Sequence, residues 1–162
     1  AESLTSFLDI LEDCGAKIKI KDDTAIVSGG GKLKPFKIST APYPDFPTDL
    51  QSPMSLIAAC AEGESIIIEN MFENRLFYLN ELKKMGLKAE ILDPHTAKIN
   101  GGANLKPTTI ESLDLRSGIT LLIAAIMTEG TTIIENAQII DRGYEKIEEK
   151  LKALGAKIER ID

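Results

Sequence analysis

Three stretches of this 162-residue chain end in the same way: Leu11-Glu12-Asp13-Cys14-Gly15-Ala16-Lys17-Ile18, Leu82-Lys83-Lys84-Met85-Gly86-Leu87-Lys88-Ala89 and Leu151-Lys152-Ala153-Leu154-Gly155-Ala156-Lys157-Ile158. Each reads as a helix closed by a glycine and followed by a strand. Glycine tolerates the left-handed backbone that ends a helix, and a Lys before it suits the negative end of the dipole. Apolar residues at helical spacing precede each stop: Leu4, Phe7, Leu8 and Leu11; Leu76, Leu79, Leu82 and Met85; Tyr144, Ile147, Leu151 and Leu154.

A second element occurs twice. Ser55 to Gly63 resembles Leu121 to Gly130, each an apolar helix ending at Glu-Gly and leading into a β-rich run, Ser65-Ile66-Ile67-Ile68 or Thr131-Thr132-Ile133-Ile134. A helix that is apolar nearly all round belongs between layers. The unit is thus buried helix, strand, amphipathic helix, strand and often one strand more. Lys88–Ile91 and Thr96–Ile99 are such a pair around the turn Asp93-Pro94-His95, and Ala16–Ile20 and Thr24–Val27 another around Lys21-Asp22-Asp23. The expected fold is α/β (α+β), with buried helices enclosed by short-stranded sheets. The expected organisation is the tail of one unit over 1–34, a full unit over 35–102 and most of another over 103–162. A chain entering mid-unit, at Ala1-Glu2-Ser3 and without Met, reads as cut from something longer.

Composition excludes several classes. A formal charge of −6, 5% aromatics and no Trp argue against binding of a nucleic-acid backbone. No apolar run has the length of a membrane helix, and no charged-then-apolar leader opens the chain. Cys14 and Cys60 are too few for a disulfide framework and sit in apolar helical patterns, so both are expected to be buried thiols in a reducing cytoplasm. His95 has no Cys nearby and is expected at a solvent-facing hairpin tip; no metal site and no cofactor are indicated. Gly29-Gly30-Gly31-Lys32 lacks the P-loop frame and reads as a turn, as does Gly101-Gly102. Phe77 and Tyr144 read as packing residues, and Glu145 to Lys150 as a solvated helix face.

The chain has four arginines, and three of them, Arg75, Arg116 and Arg142, fall at expected helix starts: Glu73-Asn74-Arg75, Leu113-Asp114-Leu115-Arg116 and Ile140-Asp141-Arg142-Gly143. Asn, Asp and Thr are good N-caps there, but a cation is disfavoured beside the positive end of a helix. An anion would reconcile the two, because helix N–H groups and guanidinium forks both hold phosphate or carboxylate. The plainer alternative is that each Arg pairs with its neighbouring cap acid. Asp49 also has two readings. It opens the helix start Pro47-Thr48-Asp49-Leu50-Gln51, where it serves as a first-turn acid or as a general base beside an anionic substrate. The preceding Thr40-Ala41-Pro42-Tyr43-Pro44-Asp45-Phe46-Pro47 carries three prolines and must be an ordered, non-helical loop.

Thr40 to Pro44 with Phe46 to Gln51, Phe72-Glu73-Asn74-Arg75, Asp114-Leu115-Arg116-Ser117 and Ile140 to Glu148 together resemble the bacterial UDP-N-acetylglucosamine 1-carboxyvinyltransferases, in the enolpyruvyl transferase family. The resemblance covers essentially the whole chain. It implies a protein of two similar lobes, each of three βαβαββ units (an inside-out α/β barrel), of which this chain is most of the lobe holding the C-terminus. It implies a transferase of the bacterial cytoplasm that moves the enolpyruvyl group of phosphoenolpyruvate to the 3-hydroxyl of UDP-N-acetylglucosamine and releases phosphate, the first committed step toward peptidoglycan.

By motif, Asp49 would meet the sugar hydroxyl and transfer its proton. Thr48, the Met71 main chain and Phe72 would line the nucleotide-sugar site. Arg116 and Arg142 would grip phosphoenolpyruvate, Arg75 would support that region, and Asp114 would help hold it. Asp45 and Ser52-Pro53-Met54 depart from the family's usual residues. The family's mobile loop, with its reactive Cys, belongs to the N-terminal lobe missing here, so the chain alone is expected to be inactive, with open sheet edges that favour self-association. The alternatives are a non-catalytic binding or structural domain on the same repeats, and an enolpyruvyl transferase acting on shikimate 3-phosphate.

Overall fold

A computed structural model describes residues 4–22, 24–28 and 31–161. The readings that fall on residues 1–3, Asp23, Gly29 and Gly30 lie outside the described residues.

The three glycine stops are one cap built three times. Ala16, Leu87 and Ala156 each donate an amide to the carbonyl five residues back, on Leu11, Leu82 and Leu151, at 2.9, 3.1 and 3.0 Å. The glycines themselves lie at φ 103°, 101° and 96°. Their amides reach the Glu12, Lys83 and Lys152 carbonyls, which completes the Schellman arrangement. The expected lysine accompanies two of these caps only, since the first helix ends in acids.

Helix α1 (Thr5–Asp13) leads into the antiparallel hairpin β1 (Lys17–Lys21) and β2 (Thr24–Ser28). Next come β3 (Lys37–Ser39), a 3₁₀ turn (Thr48–Leu50), α2 (Gln51–Cys60), β4 (Glu64–Ile68), α3 (Tyr78–Lys84), β5 (Lys88–Asp93) and β6 (Thr96–Asn100). These strands form a four-stranded sheet in the order β3-β4-β6-β5, with β3 parallel to β4 and the other pairs antiparallel. Then β7 (Thr109–Glu111), α4 (Leu115–Ile126), β8 (Ile133–Glu135), a second 3₁₀ segment (Ala137–Arg142) and α5 (Ile147–Ala153) repeat the first part of that order, with β7 parallel to β8. Thr131 and Thr132, expected in a strand, precede β8, and α5 begins at Ile147, so Glu145 and Lys146 of the expected helix face precede it.

A further repeat escaped the sequence reading. Leu33-Lys34-Pro35 precedes β3 and Leu105-Lys106-Pro107 precedes β7. Lys34 N donates to Cys14 O at 2.8 Å, and Lys106 N to Met85 O at 2.7 Å, so each unit is stitched to the Schellman cap of the one before. Each proline then packs on the glycine after the buried helix: a Cβ on Gly63 would lie 3.1 Å from Pro35 Cγ, and one on Gly130 2.8 Å from Pro107 Cγ.

The core gathers where α2, α3 and α4 meet the four-stranded sheet. Met54, Ile67, Leu79, Leu82, Ala97, Ile99 and Leu121 have no exposed surface. The terminal helices differ from expectation: neither α1 nor α5 buries a residue completely, and Leu154 is 84% exposed. The reason is architectural. The sheet that covers α3 has four strands, while the described residues give the outer units two each.

Cys14 is buried, as expected, and Cys60 is exposed, contrary to expectation. Cys60 is the last residue of α2, past the turns whose apolar side chains face the core. Burial pushes the Cys14 thiol up, with the Asp13 carboxylate adding to it. A maleimide at neutral pH is therefore expected to label Cys60 in the folded chain and to reach Cys14 only on unfolding. Mass spectrometry of the labelled peptides checks this; equal labelling of both would contradict the packing.

Candidate functional site

The Pro-rich loop is ordered, as anticipated. Ala41 N donates to Phe46 O at 3.0 Å and Asp45 N to Pro42 O at 3.1 Å, and the Tyr43–Pro44 peptide is cis. Phe46 anchors the loop, 4% exposed, with its ring 6.3 Å from that of Phe7 on α1. The loop delivers Thr48 and Asp49 on the 3₁₀ turn at the start of α2.

Asp49 does not cap that turn; its Oδ1 instead accepts from Arg116 Nε, 67 positions later in the chain. Arg75 Nη1 stands 3.9 Å from the same oxygen. Arg75 is held from two sides, by Thr48 Oγ1 at 2.5 Å and by the Phe72 ring, 4.2 Å from the guanidinium carbon. The Asp49 side chain remains 60% exposed and that of Arg116 40% exposed, so this cluster meets solvent at the mouth of a narrow cleft. Gln51, Ser52, Tyr78, Asp114 and Ser117 line the cleft beside Thr48, Arg75 and Arg116. Tyr78 OH donates to Gln51 Oε1 at 3.2 Å, and complete burial drives its phenol far up.

Asp114 caps α4. Its Oδ1 accepts from the Arg116 and Ser117 amides at 2.8 and 3.1 Å, and Ser117 Oγ donates to Oδ2 at 2.7 Å. Asp114 fixes the first turn of α4 and thereby the base of the Arg116 side chain. Its carboxylate also uses two N–H groups that the sequence reading had offered to an anion. Arg116 is the one arginine of the three that lies on a helix start. Arg75 precedes α3 by three residues, after a turn in which Asn74 takes φ 61° and caps nothing. Arg142 ends the second 3₁₀ segment. The acid-rich sequence around each had looked like a helix start, but short turns use the same residues.

Arg142 is exposed, and among the described residues its side chain makes no hydrogen bond or ion pair. Its segment packs on the first turns of α4: a Cβ on Gly143 would lie 2.8 Å from Leu115, and one on Gly118 2.7 Å from Ile140. The structure thus brings Asp49, Arg75 and Arg116 together and leaves Arg142 on a neighbouring segment. Met71 and Phe72 are exposed on the loop after β4, with Phe72 facing Arg75.

The residue that organises this region was missed. Glu69 has no exposed surface, yet its carboxylate accepts four hydrogen bonds. Oε1 takes Thr40 Oγ1 at 3.0 Å and the Met71 and Phe72 amides at 2.8 and 3.2 Å; Oε2 takes Thr48 Oγ1 at 2.6 Å. The Thr48 hydroxyl gives its proton to Glu69 and accepts from Arg75, so it has none left for a ligand. His95 belongs to the same frame rather than to solvent: its Nδ1 meets Glu69 O at 2.6 Å while His95 O accepts from Glu69 N at 2.7 Å. Because a carbonyl only accepts, Nδ1 carries the proton. The available signal was a carboxylate ending an apolar strand run just before Met71-Phe72-Glu73-Asn74-Arg75.

Among the described residues no cluster of His, Cys, Asp and Glu could hold a metal ion, and no helix is long and apolar enough to cross a membrane.

Residues 1–151 match the family model for EPSP synthase (3-phosphoshikimate 1-carboxyvinyltransferase). The chain is 43% identical over 161 residues to a UDP-N-acetylglucosamine 1-carboxyvinyltransferase of Rhodopseudomonas palustris, covering 99% of this chain and 37% of that protein. It is 43% identical over 160 residues to the protein of the same name from Methylacidiphilum infernorum, covering 99% and 38%. The chain therefore spans a little over a third of the length of the curated relatives it matches. Among solved structures, the enolpyruvyl transferase NikO from Streptomyces tendae superposes with a TM-score of 0.90 at 29% identity, covering 96% of this chain and 36% of that one. With the repeated caps, the parallel β-α-β crossovers and these matches together, the chain belongs to the EPSP synthase family of enolpyruvyl transferases.

Proposed function

We propose that the protein containing this chain transfers the enolpyruvyl group of phosphoenolpyruvate to the 3-hydroxyl of UDP-N-acetylglucosamine, and that these residues form one wall of the site. The observation that carries this reading is the convergence of Asp49 with Arg116 and Arg75, three motifs far apart in sequence, at a solvent-facing cleft. In the resting arrangement Asp49 is the counter-ion of Arg116. The terminal nitrogens of Arg116 have no partner among the described residues and are open to an anion. A phosphate or carboxylate arriving there competes with Asp49 for the guanidinium, which turns the Asp49 carboxylate toward the acceptor hydroxyl.

As the hydroxyl oxygen bonds to C2 of phosphoenolpyruvate, Asp49 takes its proton and C3 takes a proton from a general acid supplied by the second lobe, which recovers it in the next step. Loss of phosphate from C2 and of a proton from C3 then restores the double bond. Arg116 and Arg142 grip the phosphate and carboxylate, and Arg75 supports them. The Met71 main chain and Phe72 line the nucleotide-sugar side, where Thr48 serves as a brace between Glu69 and Arg75. Asp114 positions Arg116. The unit boundaries at 34 and 102 fit this reading, since each falls just before a proline–glycine contact or just after a sheet. The free edges of β2 and β8 support self-association of the isolated chain.

Phosphate release from phosphoenolpyruvate tests the reading. The complete protein is expected to turn over with UDP-N-acetylglucosamine and not with shikimate 3-phosphate, and the 162-residue chain alone to show no turnover. Preference for shikimate 3-phosphate would overturn the acceptor, and enzyme-like turnover by the chain alone would overturn the need for a second lobe.

A further inference from the structure

Gln51 brings an idle donor to the wall of the cleft. It is the first residue of α2 and only 1% exposed. Its carbonyl is occupied, because the hydroxyl of Tyr78, at the start of α3, donates to Oε1 at 3.2 Å. Its amide nitrogen, Nε2, has no hydrogen-bond partner among the described residues. Buried polar groups are nearly always paired, so a free amide at this depth calls for an explanation. Among the described residues the fully enclosed side-chain nitrogens and oxygens all have partners except Thr132 Oγ1. Nε2 therefore keeps a small opening, and Gln51 lines the cleft.

The hydroxyls around it are already committed. Thr48 Oγ1 donates to Glu69 Oε2 at 2.6 Å, Ser117 Oγ to Asp114 Oδ2 at 2.7 Å and Ser52 Oγ to Arg116 O at 3.3 Å. The donors left in the cleft are Nε2 and N–H groups of Arg75 and Arg116. A neutral donor beside two guanidinium groups suits an anionic oxygen. The residue type points the same way. A Glu at this position would accept from Tyr78 more strongly, but its charge would also neutralise the arginines. The amide serves Tyr78 and leaves the cleft cationic.

We propose that Gln51 Nε2 donates a hydrogen bond to an anionic oxygen of phosphoenolpyruvate, beside Arg75 and Arg116. The assignment rests on the enolpyruvyl transfer proposed for the complete protein. As the substrate draws Arg116 away from Asp49, the cleft widens and the oxygen reaches Nε2. Tyr78 is a positioning residue here: by holding Oε1 it keeps Nε2 turned toward the cleft.

Phosphate-release kinetics of two variants of the complete protein test this. Gln51→Glu keeps an acceptor for Tyr78 and loses the donor, whereas Gln51→Met keeps the approximate size and loses both. Each is expected to raise KM for phosphoenolpyruvate by about 10–100-fold, as for a lost hydrogen bond to a charged group. Both kcat and KM for UDP-N-acetylglucosamine should stay within about threefold of the parent. A rise in Gln51→Met alone would make Gln51 a brace for Tyr78, and a rise in Gln51→Glu alone would make it a matter of charge in the cleft; either overturns the proposal, as do parental values in both. Should Gln51→Glu not fold, Gln51→Met in a Tyr78→Phe background takes its place. There a brace has nothing to hold and its loss leaves KM unchanged, which overturns the proposal, whereas loss of a donor still raises KM. A parent that does not turn over with these substrates overturns the enolpyruvyl reading and this inference together. Inorganic phosphate locates the oxygen: inhibition that weakens in both variants puts the phosphate group at Gln51, and unchanged inhibition puts the carboxylate there.

Discussion

Replacing Asp49 by Asn in the complete protein is expected to slow phosphate release by about 10²–10⁴-fold, the range lost when a positioned general base is removed. The substitution keeps size and hydrogen-bonding reach while removing the proton acceptor. Two features of the structure make the result interpretable. Asp49 accepts from Arg116 and from no amide of its own turn, so no helix cap is lost. The pair is largely exposed, and exposed ion pairs contribute only about 0.2–1 kcal/mol. The thermal midpoint should therefore move by no more than about 4 °C. A variant that keeps its rate would remove Asp49 from the chemistry. A variant that loses rate together with tens of degrees of stability would return Asp49 to a structural role.

The repeat was legible because its signals are local. A glycine that must adopt φ near 100° after an amphipathic run can be read from a dozen residues, and all three such stops formed the same cap. Buried helices were legible for a similar reason: Met54 to Ala59 and Ile119 to Leu122 have no polar face. Arginine placement was harder. Glu73-Asn74-Arg75 and Asp141-Arg142-Gly143 carry cap-like residues, but the choice between helix start and turn lies in what packs against them. Asn74 enters the left-handed region and Arg142 ends a 3₁₀ segment on α4, and neither outcome is encoded within four residues. Cys60 was misjudged because a position on the last turn of an apolar helix need not face the core. Glu69 was hidden by convention, since a charged residue after four strand residues ordinarily marks a strand leaving the core. Here four donors from three separate segments converge on it, and no sequence window contains them all.

Glu69 is also where the largest loss of stability is expected. Its carboxylate is buried and satisfied, so truncation leaves the Thr40 and Thr48 hydroxyls and the Met71 and Phe72 amides short of an acceptor at once. Unmet buried groups of this kind cost about 1–3 kcal/mol each, and those nearest the surface recover part of that from water. Glu69→Ala should then cost about 3–5 kcal/mol, comparable to breaking a buried ion pair, and lower the midpoint of this chain by about 6–20 °C. Glu69→Gln separates holding from charge. Its carbonyl oxygen can keep the three bonds made by Oε1, so the fold should survive. Its amide, however, donates toward Thr48, whose oxygen then faces two donors, the amide and Arg75, while its own proton loses its acceptor. The Arg75 guanidinium is thereby released from Thr48 without any change in the residues that line the cleft. In the complete protein, Glu69→Gln is expected to weaken substrate capture, raising KM by about tenfold for roughly 1.4 kcal/mol of lost positioning, with kcat less affected. A Glu69→Ala chain that melts with the parent would show that the four bonds do not hold the region. A Glu69→Gln protein with unchanged KM would show that the link from Glu69 through Thr48 to Arg75 does not reach the site.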